Sequence, residues 1–338
     1  MKLPRVIVCS LNYNPSKIRE IVSKHVESLL LQDYPNMVIV LIDNGSLEDE
    51  TWLLKDLSKG KALVVRVRRN LGVAGGYEVC YRMAKAMNAD YLLVVNNDVV
   101  LKSNNIVSAL VNVAQKVCCI GAVGAVLLQW NKNTVDSAGY MVTTWGDYVK
   151  LCHGVPANLC FNKPTPITYA HAALSLYSMK ALHKAGDRLF FPWFKMFGDD
   201  YEVGYRLWRT GHYCIVIPII AGEHYGSATI EANKDLKHEY IYWNIVSSLA
   251  VNKIVYSLNP LITISAIVLR LVESIFTLSP SLCRAVLHAI YLAKELKREL
   301  KRLGISSIPK EPRIRTPLAY KISKAILMSL KRASKLKL

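Results

Sequence analysis

Four apolar, β-branched runs, RVIVCSLNY, MVIVLIDN, KALVVRVRRN and YLLVVNNDVVL, follow one another through the first third of the chain, and each gives way abruptly to polar side chains. The segments between them have a different period. After Asn14-Pro15 the apolar residues Ile18, Ile21, Val22, Val26, Leu29 and Leu30 recur at helical spacing, and Trp52, Leu53 and Leu57 fit a short helix. A Gly-containing turn and a helix ending near Met87 precede the fourth run, and a helix over roughly 106–117 leads into IGAVGAVLL. Alternation of strands and helices on this scale predicts an α/β fold, a mostly parallel central sheet with helices on both faces.

In such a sheet ligands bind outside the carboxyl ends of the strands. Here those ends are Ser10 to Asn14, Asp43-Asn44-Gly45-Ser46, Arg68-Arg69-Asn70 and Asn96-Asn97-Asp98. Any one of them is an ordinary turn by composition. Repeated along one edge, they mark where function is to be sought. The stretch NLGVAGGYEV does not match the dinucleotide fingerprint, because Gly72, Gly75 and Gly76 lack its spacing and follow the third strand rather than the first. A Gly-rich turn that opens a helix still suits either a nearby phosphate or close packing of the helix entry.

Charge and cysteine content narrow the class. The chain of 338 residues carries a net charge of +18, and from Lys294 onward fourteen Lys and Arg face three acidic residues. That excess sits in the tail rather than interleaved with aromatics across a sheet face, which argues against a nucleic-acid protein. The eight cysteines are scattered, with no C-x-x-C, and read as reduced thiols. The N-terminus enters a strand at once, without a basic stretch and apolar core of the secretory kind, so the bulk of the protein is expected in the cytoplasm.

Four blocks in this order, SLNYN, LIDNGSLED, RRNLGVAGGYEV with VVNNDVVL, and FFPWFKMFGDDYEVGYRLWRTGH, resemble the family 2 glycosyltransferases of the GT-A fold, in particular the rhamnosyltransferase-like and galactofuranosyltransferase-like branch. The resemblance spans roughly residues 4–226. It implies that Asp43 binds the base of a nucleotide, with Asn12 and Asn14 near base and ribose, and that Arg69, Asn70 and Gly72 lie beside the nucleotide-sugar. The family's metal-binding D-x-D position falls on Asn96-Asn97-Asp98, with Asn97 also near the donor. Asn96 replaces the first Asp, and an amide oxygen is a weaker ligand for a hard cation than a carboxylate. A histidine that family members place near the metal corresponds to His224 in AGEHYG, and an imidazole leans the choice between Mn²⁺ and Mg²⁺ toward Mn²⁺. On this basis residues 1–235 form the transferase domain, with 1–128 its nucleotide-sugar-binding half and 129–235 its acceptor half.

The block FGDDYEVGYRLWRTGH also reads without the family. Asp199, Glu202 and Arg206 share one helical face, acidic residues at a helix N-terminus complement the macrodipole, and Glu202 with Arg206 forms an i,i+4 ion pair. The resemblance adds that one carboxylate of Asp199-Asp200 removes the proton from an attacking hydroxyl. Inverting transfer requires a single base, and Asp200 is assigned that role, with Asp199 orienting the acceptor. The aromatics of WFKMF suit either the core or a sugar ring.

The remaining segment, 236–338, is expected to be helical, basic and membrane-associating. The charge-free stretch 254–269 is 16 residues long and interrupted by Asn259-Pro260, too short to span a bilayer. From Leu282 the residues Val286, Ala289, Ala293, Leu296, Leu300 and Leu303 make a stripe opposed by Lys294, Lys297, Arg298, Lys301 and Arg302; 317–338 repeats the theme. Such stripes form either a helix seam, with a homo-oligomer as one outcome, or a membrane-surface helix. The combined expectation is a metal-dependent transferase. It takes a UDP-, dTDP- or GDP-linked sugar to a lipid-linked or glycan acceptor at the cytoplasmic face of a membrane. A sugar nucleotidyltransferase and an inactive scaffold are the alternatives.

Overall fold

The computed structural model describes residues 3–233, 235–276, 279–305, 308 and 310–316. The amphipathic stretch 317–338 therefore lies outside the described residues. The chain begins with β1 (Val6–Asn12), α1 (Arg19–Leu30), β2 (Met37–Asn44), α2 (Thr51–Ser58), β3 (Leu63–Val67), α3 (Gly72–Ala86), β4 (Tyr91–Val95), β5 (Val99–Leu101), α4 (Ile106–Lys116) and β6 (Ile120–Gln129). This is the expected alternation. β1 pairs in parallel with β2 and β4, and β2 with β3.

Successive residues of these strands feed opposite cores. Ile7, Cys9, Val40, Ile42, Leu92 and Val94 join one, under Ala74, Tyr77, Cys80, Tyr81 and Ala84 of α3. Val6, Val8, Ile39, Leu41, Leu93 and Val95 join the other, under Val22, Val26 and Leu29 of α1 and Ile106, Leu110 and Val111 of α4. A sheet covered on both faces has no solvated side, which is why the runs are unbroken rather than alternating. Each such side chain contributes about 1.5–3 kcal/mol by leaving water.

Beyond β6 come β7 (Val135–Ser137), β8 (Tyr140–Thr143), β9 (Tyr148–Lys150), β10 (Thr165–Pro166), β11 (Leu174–Ser178), α5 (Met179–Lys184), α6 (Asp199–Arg209), β12 (Tyr213–His224) and α7 (Ala228–Ala232). The order across the sheet is β10-β12-β6-β11-β4-β1-β2-β3. β11 runs antiparallel between β4 and β6, while β12 is parallel to β6. The sheet is therefore mixed rather than mostly parallel beyond β4. The small and polar residues of AHAALSLYS blur the period-two signal that would have announced β11.

The chain closes with α8 (Asp235–Ser247), a π-helical segment Ser248–Val255, α9 (Pro260–Phe276), α10 (Pro280–Arg302) and β13 (Arg313–Ile314), which pairs with β8. The stripe Leu282, Val286, Ala289, Ala293, Leu296 and Leu300 is buried, and α10 packs on α8, α9 and the π-helical segment. Those apolar residues are thus used inside the fold, as a seam. Asn259 lies in the short connection between the π-helical segment and α9, and Pro260 is the first residue of α9, where its missing N–H costs nothing. No helix of the described residues is long and apolar enough to cross a membrane.

The cysteines depart from expectation. Cys9 on β1 is bridged to Cys80 on α3, with Cα atoms 6.2 Å apart, and Cys152 is bridged to Cys160. The first pair is 71 residues apart in sequence, so only the packing of α3 on the sheet brings it together. Cys118, Cys119, Cys214 and Cys283 are free thiols.

Candidate active site

The carboxyl ends of β1, β2, β4 and β12 and the amino end of α6 surround a cavity of about 480 Å³. Of the residues singled out from sequence, Asn12, Asn70, Gly72, Asn96, Asn97, Asp98, Asp199, Asp200 and His224 line it. Asn14, Asp43 and Arg69 do not. Asn14 adopts a left-handed backbone (φ 47°) and its side chain is committed: Nδ2 donates to Asn233 Oδ1 at 2.8 Å and Oδ1 accepts from Leu47 N at 3.0 Å. Arg69 is exposed. Asp43 is fully buried beside Asn12, its partner in the β1–β2 register. Its Oδ1 accepts from Ser46 N at 3.0 Å, whereas Asp43 Oδ2 and Asn12 Oδ1 have no hydrogen-bond partner. The nearest cation among the described residues, Arg66 Nε, stands 3.8 Å from Asp43 Oδ2. Two unsatisfied buried acceptors are costly and suit a ligand that brings N–H donors.

The Gly-rich turn is built for close approach. Asn70 Oδ1 accepts from Gly72 N at 2.8 Å and Asn44 Nδ2 donates to Gly72 O at 3.0 Å, which fixes the entry to α3. Gly72 has φ 72°, and a Cβ there would fall 2.6 Å from Lys195 O. Only glycine satisfies both conditions.

Asp98 and His224 form the centre of the opposite wall. His224 Nε2 lies 3.3 Å from Asp98 Oδ1, and His224 Nδ1 lies 2.9 Å from Asp136 Oδ2. Burial alone would push the imidazole down, but the two carboxylates win and hold it up to about 9. Burial would likewise raise both acids; the His224 ring, and for Asp136 also Lys150, pull them below the ordinary carboxylate range. Asn96 Oδ1 accepts from the Tyr77 hydroxyl at 2.9 Å, and Asn97 Nδ2 is buried without a partner. A carboxylate and an imidazole nitrogen this close are a donor set that suits Mn²⁺, so the residues fit the cation that the D-x-D position implies. Asp98 would hold it together with His224.

The acidic pair stands at the first two positions of α6. Gly198 precedes it with φ 87°, and a Cβ there would meet Phe194 and Ser247 at 2.7 Å. Helix-terminal N–H groups favour carboxylates, yet burial dominates here. Asp199 is raised to about 6 by desolvation, and Asp200 is raised well above the carboxylate range by desolvation and by the neighbouring Asp199 charge. Asp199 is buried, while Asp200 keeps part of its surface open and lines the cavity. Two acids crowded in this way hold a proton near neutral pH and can exchange it with a ligand.

Among the polar residues that line the cavity, Asp136, Lys150 and His171 escaped the sequence reading, and Asn44 entered it without an assigned role. Asn44 was visible as part of a strand end. Asp136, Lys150 and His171 come from polar or small-residue stretches with no motif, and only the folding of β7, β9 and the loop before β11 gathers them.

A family model described as Glycosyl transferase family 2 matches residues 5–184, more than half of the chain. No curated protein matches it. Among solved structures, the mannosyltransferase PcManGT from Pyrobaculum calidifontis, in complex with GDP-Man and Mn²⁺, is similar with a TM-score of 0.51 and 15% identity over 89% of this chain and 88% of that one. GalNAc-T7 with UDP, GalNAc and Mn²⁺ is similar with a TM-score of 0.51 and 17% identity over 66% of this chain, which spans 44% of that one. At such identities the likeness is one of fold, the GT-A fold, and it agrees with the mixed sheet described above. The matched residues include the ends of β1, β2 and β4, the Gly72 turn and Asp98, while His224 and the Asp199-Asp200 pair lie beyond them, and the chain belongs to glycosyl transferase family 2.

Proposed function

We propose that the chain is an inverting glycosyltransferase that moves a hexosyl or deoxyhexosyl group from a UDP-, dTDP- or GDP-linked donor to a hydroxyl of a lipid-linked or glycan acceptor. The observation that carries this reading is the acidic pair at the amino end of α6 facing the cavity that Asp98, His224 and the strand ends line. Asn12 Oδ1, in the cavity wall, supplies an acceptor for the N–H edge that uracil, thymine and guanine share. Asp43 Oδ2, beside it but outside the cavity lining, becomes a second acceptor once a base is seated, and the Gly72 turn lets backbone approach the diphosphate. Asp200 accepts the proton of the acceptor hydroxyl as its oxygen bonds to the anomeric carbon and the bond to the diphosphate oxygen breaks. Asp199 orients the acceptor. A divalent cation, when bound by Asp98 and His224, supplies charge neutralisation to the leaving diphosphate. Incubating purified protein and Mn²⁺ with a panel of UDP-, dTDP- and GDP-sugars is expected to give donor hydrolysis or transfer with at least one. Neither binding nor turnover with any donor would sink the reading.

The acceptor's place is the surface of a membrane, at its cytoplasmic face. Supporting this is α9, which exposes Leu261, Ile264, Val268, Leu269, Val272 and Ile275 at helical spacing, with Ile275 71% accessible. Beside it α10 exposes Leu287, Ile290 and Tyr291 and then the basic run Lys294, Lys297, Arg298, Lys301 and Arg302. An apolar face next to basic residues matches acyl chains beside anionic headgroups, whereas a second copy would bring like charge against like. The protein is expected to float with vesicles containing anionic phospholipid, and Ile264→Asn with Val268→Asn to abolish flotation while donor hydrolysis remains. Equal recovery of wild type and variant in the unbound fraction, or a concentration-dependent dimer lost in the variant, overturns the membrane assignment.

A further inference from the structure

The imidazole of His224 is held from both sides, and only one of its nitrogens can serve as a metal ligand while the other is fixed by a neighbour. The two sides differ. On the Nδ1 side, Asp136, His171 and His224 present ligand atoms within 4.8 Å of one another. That carboxylate is already closed, however: Lys150 Nζ lies 2.6 Å from Asp136 Oδ1, and the His153 ring 3.8 Å from the same oxygen. A divalent cation seated there would stand beside an ammonium group in a poorly solvated wall, where like charges repel strongly. On the Nε2 side, Asp98 pairs with no Lys or Arg among the described residues, and its Oδ1 stands 3.3 Å from the ring. Two adjacent ligands of an octahedral ion with bonds of about 2.1 Å stand about 3 Å apart. The Nε2 side therefore offers a seat of the right span with no competing cation.

We infer that Asp136 is a positioning residue for the metal site: it accepts from His224 Nδ1, fixes the ring, and leaves Nε2 as the donor that joins Asp98 on a divalent cation, while Lys150 balances the charge of Asp136. His171 is a neighbour in this arrangement and not a ligand. Its ring packs edge-on against His224 with centroids 5.5 Å apart, and its Nδ1 is buried without a partner. Carboxylates that hold the far nitrogen of a ligating histidine set both its tautomer and its orientation.

The inference rests on the proposed use of a divalent cation, and its test does not need turnover. Mn²⁺ alone is titrated into the protein without donor, and free Mn²⁺ is followed by electron paramagnetic resonance. Asp136→Ala is expected to weaken Mn²⁺ binding about 10–100-fold. Asp136→Asn, whose amide oxygen still accepts from Nδ1, should lose less, and its thermal melting reports whether the fold is intact. Asp98→Asn should lose binding, and His171→Gln should stay within about threefold of wild type, since a non-ligand lacks the direct bond. Unchanged affinity in both Asp136 variants overturns the inference. So does a loss in His171→Gln equal to that in Asp98→Asn, which would move the cation to the Nδ1 side. Sugar transfer by a wild-type protein that binds no Mn²⁺ removes the metal and this inference but leaves the transferase reading. The expected order of affinities without transfer from any donor does the reverse.

Discussion

Replacing Arg206 with methionine is expected to lower the unfolding free energy by about 3–5 kcal/mol, the usual cost of removing one partner of a buried ion pair. The Arg206 and Glu202 side chains are both fully buried, with Nε 3.0 Å from Oε1 and 3.1 Å from Oε2. The rest of the guanidinium holds three backbone carbonyls, Ala185 at 2.6 Å, Leu189 at 2.6 Å and Arg188 at 3.2 Å, and lies over the Phe191 ring at 4.9 Å. The methionine would fill much of the volume and satisfy none of these acceptors. What remains is a carboxylate in a dry site, with one hydroxyl, that of Tyr256, 3.3 Å from Oε1. Burial already raises Glu202, and the Arg206 charge holds that rise in check. Without the arginine the carboxyl takes up a proton more readily in the folded state than in the unfolded one. A raised folded value means that stability is fully present below the unfolded value and is lost as pH rises, so the deficit of Arg206→Met should widen from pH 5 to pH 8. Urea unfolding at the two pH values measures it. A deficit under 1 kcal/mol at pH 8 would show that the α6 anchor is not held by this pair.

That pair was legible in the sequence, because an i,i+4 Glu-to-Arg step on one helix is a local relation. So were the parallel strands with their helices, since a strand buried on both faces announces itself by an unbroken apolar run such as VIVLI. The polar strand ends were legible as a set, and Asn12, Asn70, Gly72 and Asn96 to Asp98 do meet in one cavity. Other features depend on relations the chain makes only when folded. Cys9 meets Cys80 across a helix-on-sheet contact, and β11 slides between two strands that precede it in sequence. Asp136, Lys150 and His171 each look like loop or edge residues until β7, β9 and the approach to β11 converge. The stripe on α10 shows a different limit. Periodicity said that one face would be covered, and left open whether lipid or protein would cover it; the protein does, and the apolar residues left outside belong to α9 and to Leu287, Ile290 and Tyr291 on the other side of α10.

Asp200→Asn should reduce kcat for sugar transfer by about 10²–10⁴-fold, the range that a positioned general base contributes. The substitution keeps the shape of the side chain and its hydrogen bond from Tyr201 N, which is 2.9 Å from Oδ1, so helix α6 keeps its start. Donor binding is assigned to the opposite walls, and the donor KM should stay within about threefold, the pattern of an interaction made only in the transition state. The pH profile gives an independent reading. Asp200 must be ionised to accept a proton, and its buried site raises it well above the carboxylate range. Activity should therefore fall as the medium is acidified through the titration of Asp200, which its buried site and the Asp199 charge set above the ordinary carboxylate range. Asp199→Asn removes one of the two causes of that rise, the neighbouring negative charge. Asp200 then ionises more easily, and the acid limb of kcat/KM should move to lower pH even though acceptor orientation, and with it the plateau, suffers. Transfer that persists in Asp200→Asn and disappears in Asp199→Asn would exchange the two roles. Persistence in both would mean that the proton leaves through some group other than this pair, because neither amide can accept it at neutral pH.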